Sequence, residues 1–182
     1  LRTGSSYRHE VEPDSFLRLP GTAFVYWVGS SVLSAFSSNP SLISRGWTSA
    51  IGLQTSDDFR FVRLWTEGRA GEAAIPLAKG GAVTSYYSDI PLVIVETAQL
   101  HELKAFAETT PGTNHWSRNL RSSELYFRSG LTWARRPHRR GWFATLPSGC
   151  VFSDSGPTLF TSIEDHWVAA AVLNSEPYGA LL

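Results

Sequence analysis

Arg135, Arg136, Arg139 and Arg140 surround Pro137-His138, and Trp133, Trp142 and Phe143 bracket the group. The window 118–140 collects seven of the sixteen Lys and Arg residues of this 182-residue chain against one acid, Glu124. The formal net charge is zero, so the asymmetry is local. Guanidinium forks hold phosphates and flat rings stack on bases, so clustered arginine with interleaved aromatics has the composition of a nucleic-acid contact surface. The competing reading is a solvated hairpin tip whose arginines pair with acids elsewhere in the fold. His138 is set apart from the other histidines by position. Its arginine neighbours favour the neutral ring, a donor–acceptor able to meet a base edge. Lys79-Gly80-Gly81 adds a point charge beside two residues that permit close backbone approach. It lacks the longer spacing, ending in Lys-Ser/Thr, of a phosphate-cradling P-loop, and a plain hairpin turn is the simpler account.

Catalytic groupings do not assemble from the sequence. A nuclease needs clustered carboxylates and a lysine around Mg²⁺. Asp14 with Glu102 and Lys104 supplies those types, but Asp14 is remote in sequence and the other two fall on a predicted helix. No Gly-x-Ser-x-Gly elbow or Gly-x-Gly-x-x-Gly pattern occurs. Histidines 9, 101, 115, 138 and 166 show no metal-ligand spacing. Asp57-Asp58 reads as a turn, and Cys150, at a turn–strand junction, reads as a small core thiol.

The elements that must position these residues follow from composition and patterning. Apolar residues make up 42% of the chain, with 7 Trp, 6 Tyr and 10 Phe, enough for a sizeable core and unlike a disordered chain. No apolar run reaches the roughly 18 residues of a membrane helix, and the start lacks an apolar signal core, so no membrane partner and a cytoplasmic setting are expected. One cysteine excludes an internal disulfide. A chain that opens at Leu1 with no Met reads as a piece of a larger protein. Residues 1–21 are polar and turn-rich, an extended N-terminal segment, and 22–182 form the domain. Residues 22–28 read as a buried strand. Ser30 or Ser31 caps a helix stopped by Asn39-Pro40. Strands are expected at 59–65, 91–96, 126–133, 150–152 and 158–161. Helices are expected over 98–108 and, opened by a Thr161/Glu164 capping box, to about 174. The last is apolar nearly all round, so it should be buried or packed on something else. The fold class is α+β: a twisted, largely antiparallel sheet with a few helices.

Several segments also resemble a known family. Gly52-Leu53-Gln54-Thr55 with Asp57-Asp58, then Arg60-Phe61-Val62-Arg63, resembles the G-L-x-T-G-x-N/D-x-x-F strand–loop–strand of bacterial DNA methyltransferases. Pro76 and Lys79-Gly80-Gly81 followed by Tyr86-Tyr87 resemble their P-x-x-K-G-G…W/Y-Y segment. Tyr126-Phe127, Gly130-Leu131-Thr132-Trp133 and Leu146-Pro147-x-Gly149-x-Val151-Phe152 resemble Y-F-x-P-G-L-T-W…P-x-G-x-I-F. Val172-Leu173-Asn174-Ser175 resembles the L-L-N-S helix that follows. In this order they cover about 20–182 and resemble the target-recognition region of large adenine-specific methyltransferases of type IIG restriction–modification and BREX phage-exclusion systems. Two departures stand out: Ser56 replaces a Gly and Ser129 a Pro. The Asn/Asp-Pro-Pro-Tyr/Phe catalytic motif is absent, and Asn39-Pro40, followed by Ser-Leu, does not substitute.

The resemblance implies a bacterial parent enzyme that methylates adenine N6 with S-adenosylmethionine outside this stretch. This chain, without catalytic residues, cofactor or metal of its own, would select the double-stranded DNA sequence beside the catalytic domain of the same parent chain. Lys79, Arg118, Arg121, Arg139 and Arg140 are then expected on phosphates. Arg135, Arg136 and His138 are expected on base edges, since an arginine fork fits guanine O6 and N7 together. Gly80, Gly81 and Tyr87 complete the expected surface. Trp133 and Trp142 are expected to brace the loop. Other expectations are a module docking an acidic partner subunit of a defence complex, and a Mg-dependent nuclease on Asp14, Glu102 and Lys104.

Overall fold

Short β-forming runs broken by Gly, Pro and Ser cannot give long strands, and in the computed structural model every strand among the described residues spans two to four residues. The structure describes residues 10–18, 26, 29–68, 71–80, 84–97, 99–136 and 142–179. The chain divides into two compact units, 1–46 and 47–182.

In the first unit, Pro13–Arg18 form a 3₁₀ helix where the sequence reads as extended. Ser15 anchors it, its N–H and hydroxyl both donating to the Glu12 carbonyl. Helix α1 spans Ser30–Ser38. Its N-cap is Gly29 rather than a serine, and Asn39 closes it by donating Nδ2 to the Ala35 carbonyl at 2.8 Å. The strand expected over 22–28 lies outside the described residues except for Tyr26, which is exposed.

The second unit contains two four-stranded sheets where one was expected. In chain order its elements are β1 (Thr48–Ala50), α2 (Asp58–Phe61), β2 (Val62–Leu64), β3 (Ile75–Ala78), β4 (Leu92–Ile94) and α3 (His101–Thr109). They continue with β5 (Gly130–Thr132), β6 (Ala144–Leu146), β7 (Val151–Phe152), β8 (Thr158–Phe160), α4 (His166–Leu173) and α5 (Glu176–Gly179). The first sheet runs β1-β8-β5-β6, antiparallel throughout. The second runs β2-β4-β3-β7, antiparallel except for the β3–β7 pair. The architecture is α+β and mostly antiparallel. Among the described residues no helix is long and apolar enough to cross a membrane.

Two apolar clusters hold these layers. The larger packs Leu53, Leu77, Ile94, Leu103, Val151 and Phe152, all nearly inaccessible, with further residues around them. The smaller gathers Trp47, Leu131, Phe143, Leu159, Ala169, Ala170 and Leu173. Cys150 is buried, as a core thiol should be, and that burial pushes its pKa up. Residues 53 and 152 interlock through the Leu53 N–H on the Phe152 carbonyl. A Cβ on Gly52 would lie 1.9 Å from the same carbonyl oxygen, so only glycine allows the segments to touch.

Three further expectations change within the second unit. The strand expected over 59–65 begins as a helical turn, because Asp57 accepts from the Arg60 N–H and caps α2. Helical rather than alternating geometry then puts Phe61 in the core and Phe59 in solvent. The strand expected over 126–133 is confined to 130–132, since Phe127 takes φ 66°. The capping box at Thr161 and Glu164 does not form. Instead α4 starts at His166, and Ser162 Oγ accepts from the Asp165 N–H.

Candidate nucleic-acid interface

The site is built on the turn 153–157, which ties three segments together. Ser153 N–H donates to the Ala78 carbonyl at the end of β3, Asp154 N–H to Leu53, and the Ser155 carbonyl accepts from Arg135 N–H at 3.0 Å. Gly80, with φ +76°, runs against this turn, and a Cβ there would stand 2.3 Å from the Ser155 carbonyl oxygen. Glycine is therefore required twice over, by conformation and by contact. The arrangement brings Lys79, Gly80, Arg135 and Arg136 to one cleft of about 370 Å³, with Ala134, Asp154 and Ser155 completing its lining.

Lys79 and Ser155 also line an adjoining cleft of about 330 Å³ with Thr55, Ser56, Asp58 and Ser153. A third opening of about 500 Å³ runs from Lys79 past Asp58 to Phe59 and Arg63. Lys79 thus lines all three openings. Its ammonium donates to Asp58 Oδ2, and Thr55 Oγ1 donates to the other carboxylate oxygen. Partial burial raises the Asp58 pKa, but the hydrogen bonds from Lys79 and Thr55 and the lysine charge outweigh it and leave the carboxyl below its ordinary value. Asp58, read from sequence as a turn residue, is the principal partner that reading missed. The pairing joins residues 21 apart in sequence, and no local spacing announces it.

The other predicted residues are distributed more widely. Arg118 donates to the Gly112 carbonyl at 2.8 Å and Arg121 Nε to the Arg118 carbonyl at 2.9 Å. Their segment is fastened to the 53–56 loop by Gln54 N–H on the Asn119 carbonyl and by Asn119 Nδ2 on Ser56 Oγ. Neither arginine lines the cleft that holds Arg135. Tyr87 is exposed, and its hydroxyl donates to Asp89 Oδ1 at 2.8 Å; that bond and the carboxylate charge raise its pKa. Gly81, His138, Arg139 and Arg140 lie outside the described residues. Trp133 stacks at 5.3 Å on buried Phe143, which fits a brace for the strand end that carries Arg135. Glu102 and Lys104 sit on α3, with the Lys104 ammonium 4.9 Å from the Trp116 ring centroid. Among the described residues no group of three His, Cys, Asp or Glu could hold a metal ion.

The described Lys and Arg residues of the second unit fall into two sets. Arg60 lies over Phe61 and Phe106, Arg128 over Phe160 and Lys104 over Trp116, while Arg63, Arg118 and Arg121 donate to backbone carbonyls and Lys79 to Asp58. Arg135 and Arg136 are exposed and have no acid partner among the described residues. They can meet a ligand without first breaking an ion pair. A comparison with models of protein families gives no match for this chain, and a comparison with curated proteins gives none either.

Proposed function

We propose that the second unit reads double-stranded DNA for a bacterial adenine-N6 methyltransferase, within a restriction–modification or phage-defence system. Methyl transfer from S-adenosylmethionine would belong to a catalytic domain elsewhere in the parent chain. The observation that carries the reading is the cleft that Arg135 and Arg136, without an acid partner among the described residues, share with Lys79 and the close-packed Gly80 backbone. Two exposed guanidinium forks beside Lys79 suit a base edge or a phosphate. The motif order that resembles the methyltransferases supports the same assignment. Arg135 and Arg136 read bases, Lys79 and the flanking arginines position the backbone, and Trp133 braces the strand end.

Duplex binding by the 182-residue chain, followed by anisotropy across a salt series, tests the proposal. Affinity is expected to fall steeply with salt, as counterion release requires. Arg135→Ala/Arg136→Ala is expected to lower affinity by about 1–3 kcal/mol for each guanine fork lost. Absence of binding at low salt would overturn the reading and favour the docking of an acidic protein partner through the same arginines. Mg²⁺-dependent cleavage of the duplex would favour the nuclease instead.

A further inference from the structure

Phe59 is 95% exposed, on a four-residue helix that is otherwise closely tied down. A phenyl ring left in water forgoes the stabilisation of burial, but scattered exposed apolar residues are common enough that exposure alone means little. The surroundings of Phe59 distinguish it. Asp57 caps the turn at the Arg60 N–H, Arg63 donates to the Phe59 carbonyl at 2.7 Å and to Val62 at 2.8 Å, and Asp58 is held by Thr55 and Lys79. On the other flank, Phe61 anchors the turn in the core. The backbone beneath the ring is therefore fixed, and Phe59 lines, with Lys79, Arg63, Asp58, Glu67, Val62 and Leu92, an opening of about 500 Å³. Lys79 in turn belongs to the Arg135–Arg136 cleft. A rigidly presented, solvated aromatic next to a cation is the combination that stacks on an unstacked base while the backbone phosphate is held nearby.

We propose that Phe59 is a stacking residue for a base of the bound DNA, an inference that rests on the DNA reading above. The ring would insert at, or cap, a base opened from the duplex, contributing affinity that is uncharged and tolerant of sequence. Arg135 and Arg136 contribute by charge and hydrogen bonding, so the two contributions separate by their salt dependence.

The test uses the 182-residue chain and a mixed-sequence duplex containing 2-aminopurine, whose emission reports unstacking. Wild-type binding is expected to change the emission. Phe59→Ala is expected to lower affinity about 5- to 150-fold, with the slope of log affinity against log salt unchanged, and to abolish the emission change. Phe59→Trp should keep both. Because the Phe59 side chain lies outside the core, loss of folding does not explain a defect, and the Trp variant checks this directly. If Phe59→Ala binds like wild type while Arg135→Ala/Arg136→Ala is weakened, the stacking role is wrong and the DNA reading stands. If the wild-type chain fails to bind, both fall.

Discussion

The carboxylate of Asp58 takes hydrogen bonds from Lys79 and Thr55, so the cation expected to meet a phosphate is already partnered in the free protein. A phosphate at Lys79 must displace or share that partner, and Asp58 lowers the effective charge of the cleft. Asp58→Asn is therefore expected to raise duplex affinity severalfold and to steepen the salt slope by up to about 0.9, the share of one extra neutralised phosphate. Anisotropy titrations of wild type and variant in parallel measure both. Stability should respond in the opposite sense. Because the folded-state pKa lies below the ordinary 3.8, the pair stabilises the fold above that value, and the contribution is lost as pH falls through the depressed one. The Asp58 side chain is 50% exposed, so solvent screening holds the effect below about 1 kcal/mol. Urea midpoints at pH 7 and pH 3 should differ less in Asp58→Asn than in wild type. Ser56, where the motif it resembles has Gly, takes φ 61° and accepts from Asn119 Nδ2 at 2.9 Å. The departure in sequence thus falls at a left-handed position that Gly adopts freely, and serine is held there by a hydrogen bond.

Helix α4 shows what an element-level reading captures and what it misses. Its apolar character was legible, and Ala169, Ala170 and Leu173 are buried as expected. Trp167, Val168 and Val172 remain exposed, because a helix apolar on all sides still meets its sheet along one face only. Asn174 closes the helix. Its Oδ1 accepts from the Phe143 N–H, and its Nδ2 donates to the Phe143 and Ala170 carbonyls, all at 2.9 Å. The side-chain amide thus acts as a short piece of sheet, pairing the start of β6 with the end of α4. Asn174→Leu would strand the buried Phe143 N–H, while the Phe143 and Ala170 carbonyls keep the Tyr86 and residue-174 backbone donors, and a loss of about 1–3 kcal/mol is expected in urea unfolding, with solvent-exposed Trp167→Ala as a near-neutral control. The sequence motif located Asn174 but not this bonding, whose partner is 31 residues away. The same limit explains the second sheet. Strand positions 92–94, 151–152 and 158–160 were legible from apolar runs, but β7 pairs in parallel with β3 and β8 lies between β1 and β5. Pairings between strands of two or three residues are set by the cores they bury and leave no local trace. Helix α2 was missed because alternating Phe59 and Phe61 imitate a strand, and the Asp57 cap overrides that pattern.

At the scale of the whole chain, zero formal charge means that any duplex binding must come from where the charges are placed. Every residue of both apolar clusters lies between 47 and 182, as do the described residues of the candidate interface. The first unit by contrast has α1 with no buried residue, and the 3₁₀ helix before it is short and mostly exposed. A chain beginning at Trp47 should therefore keep its cores. Trp47 itself is buried and donates Nε1 to Asp165 at 2.9 Å, so the cut must leave that indole in place. The 47–182 chain is expected to unfold cooperatively, with a urea midpoint close to that of the full chain, and to bind duplex with an unchanged salt slope. A matching slope with lower affinity would assign to residues 1–46 an uncharged contribution to binding. A shallower slope would mean that Arg2, Arg8, Arg18 or Arg45 reaches phosphates, moving part of the electrostatic footprint out of the second unit. Loss of cooperative unfolding would mean that the cores of the second unit are insufficient without the first, contrary to the clustering of buried residues.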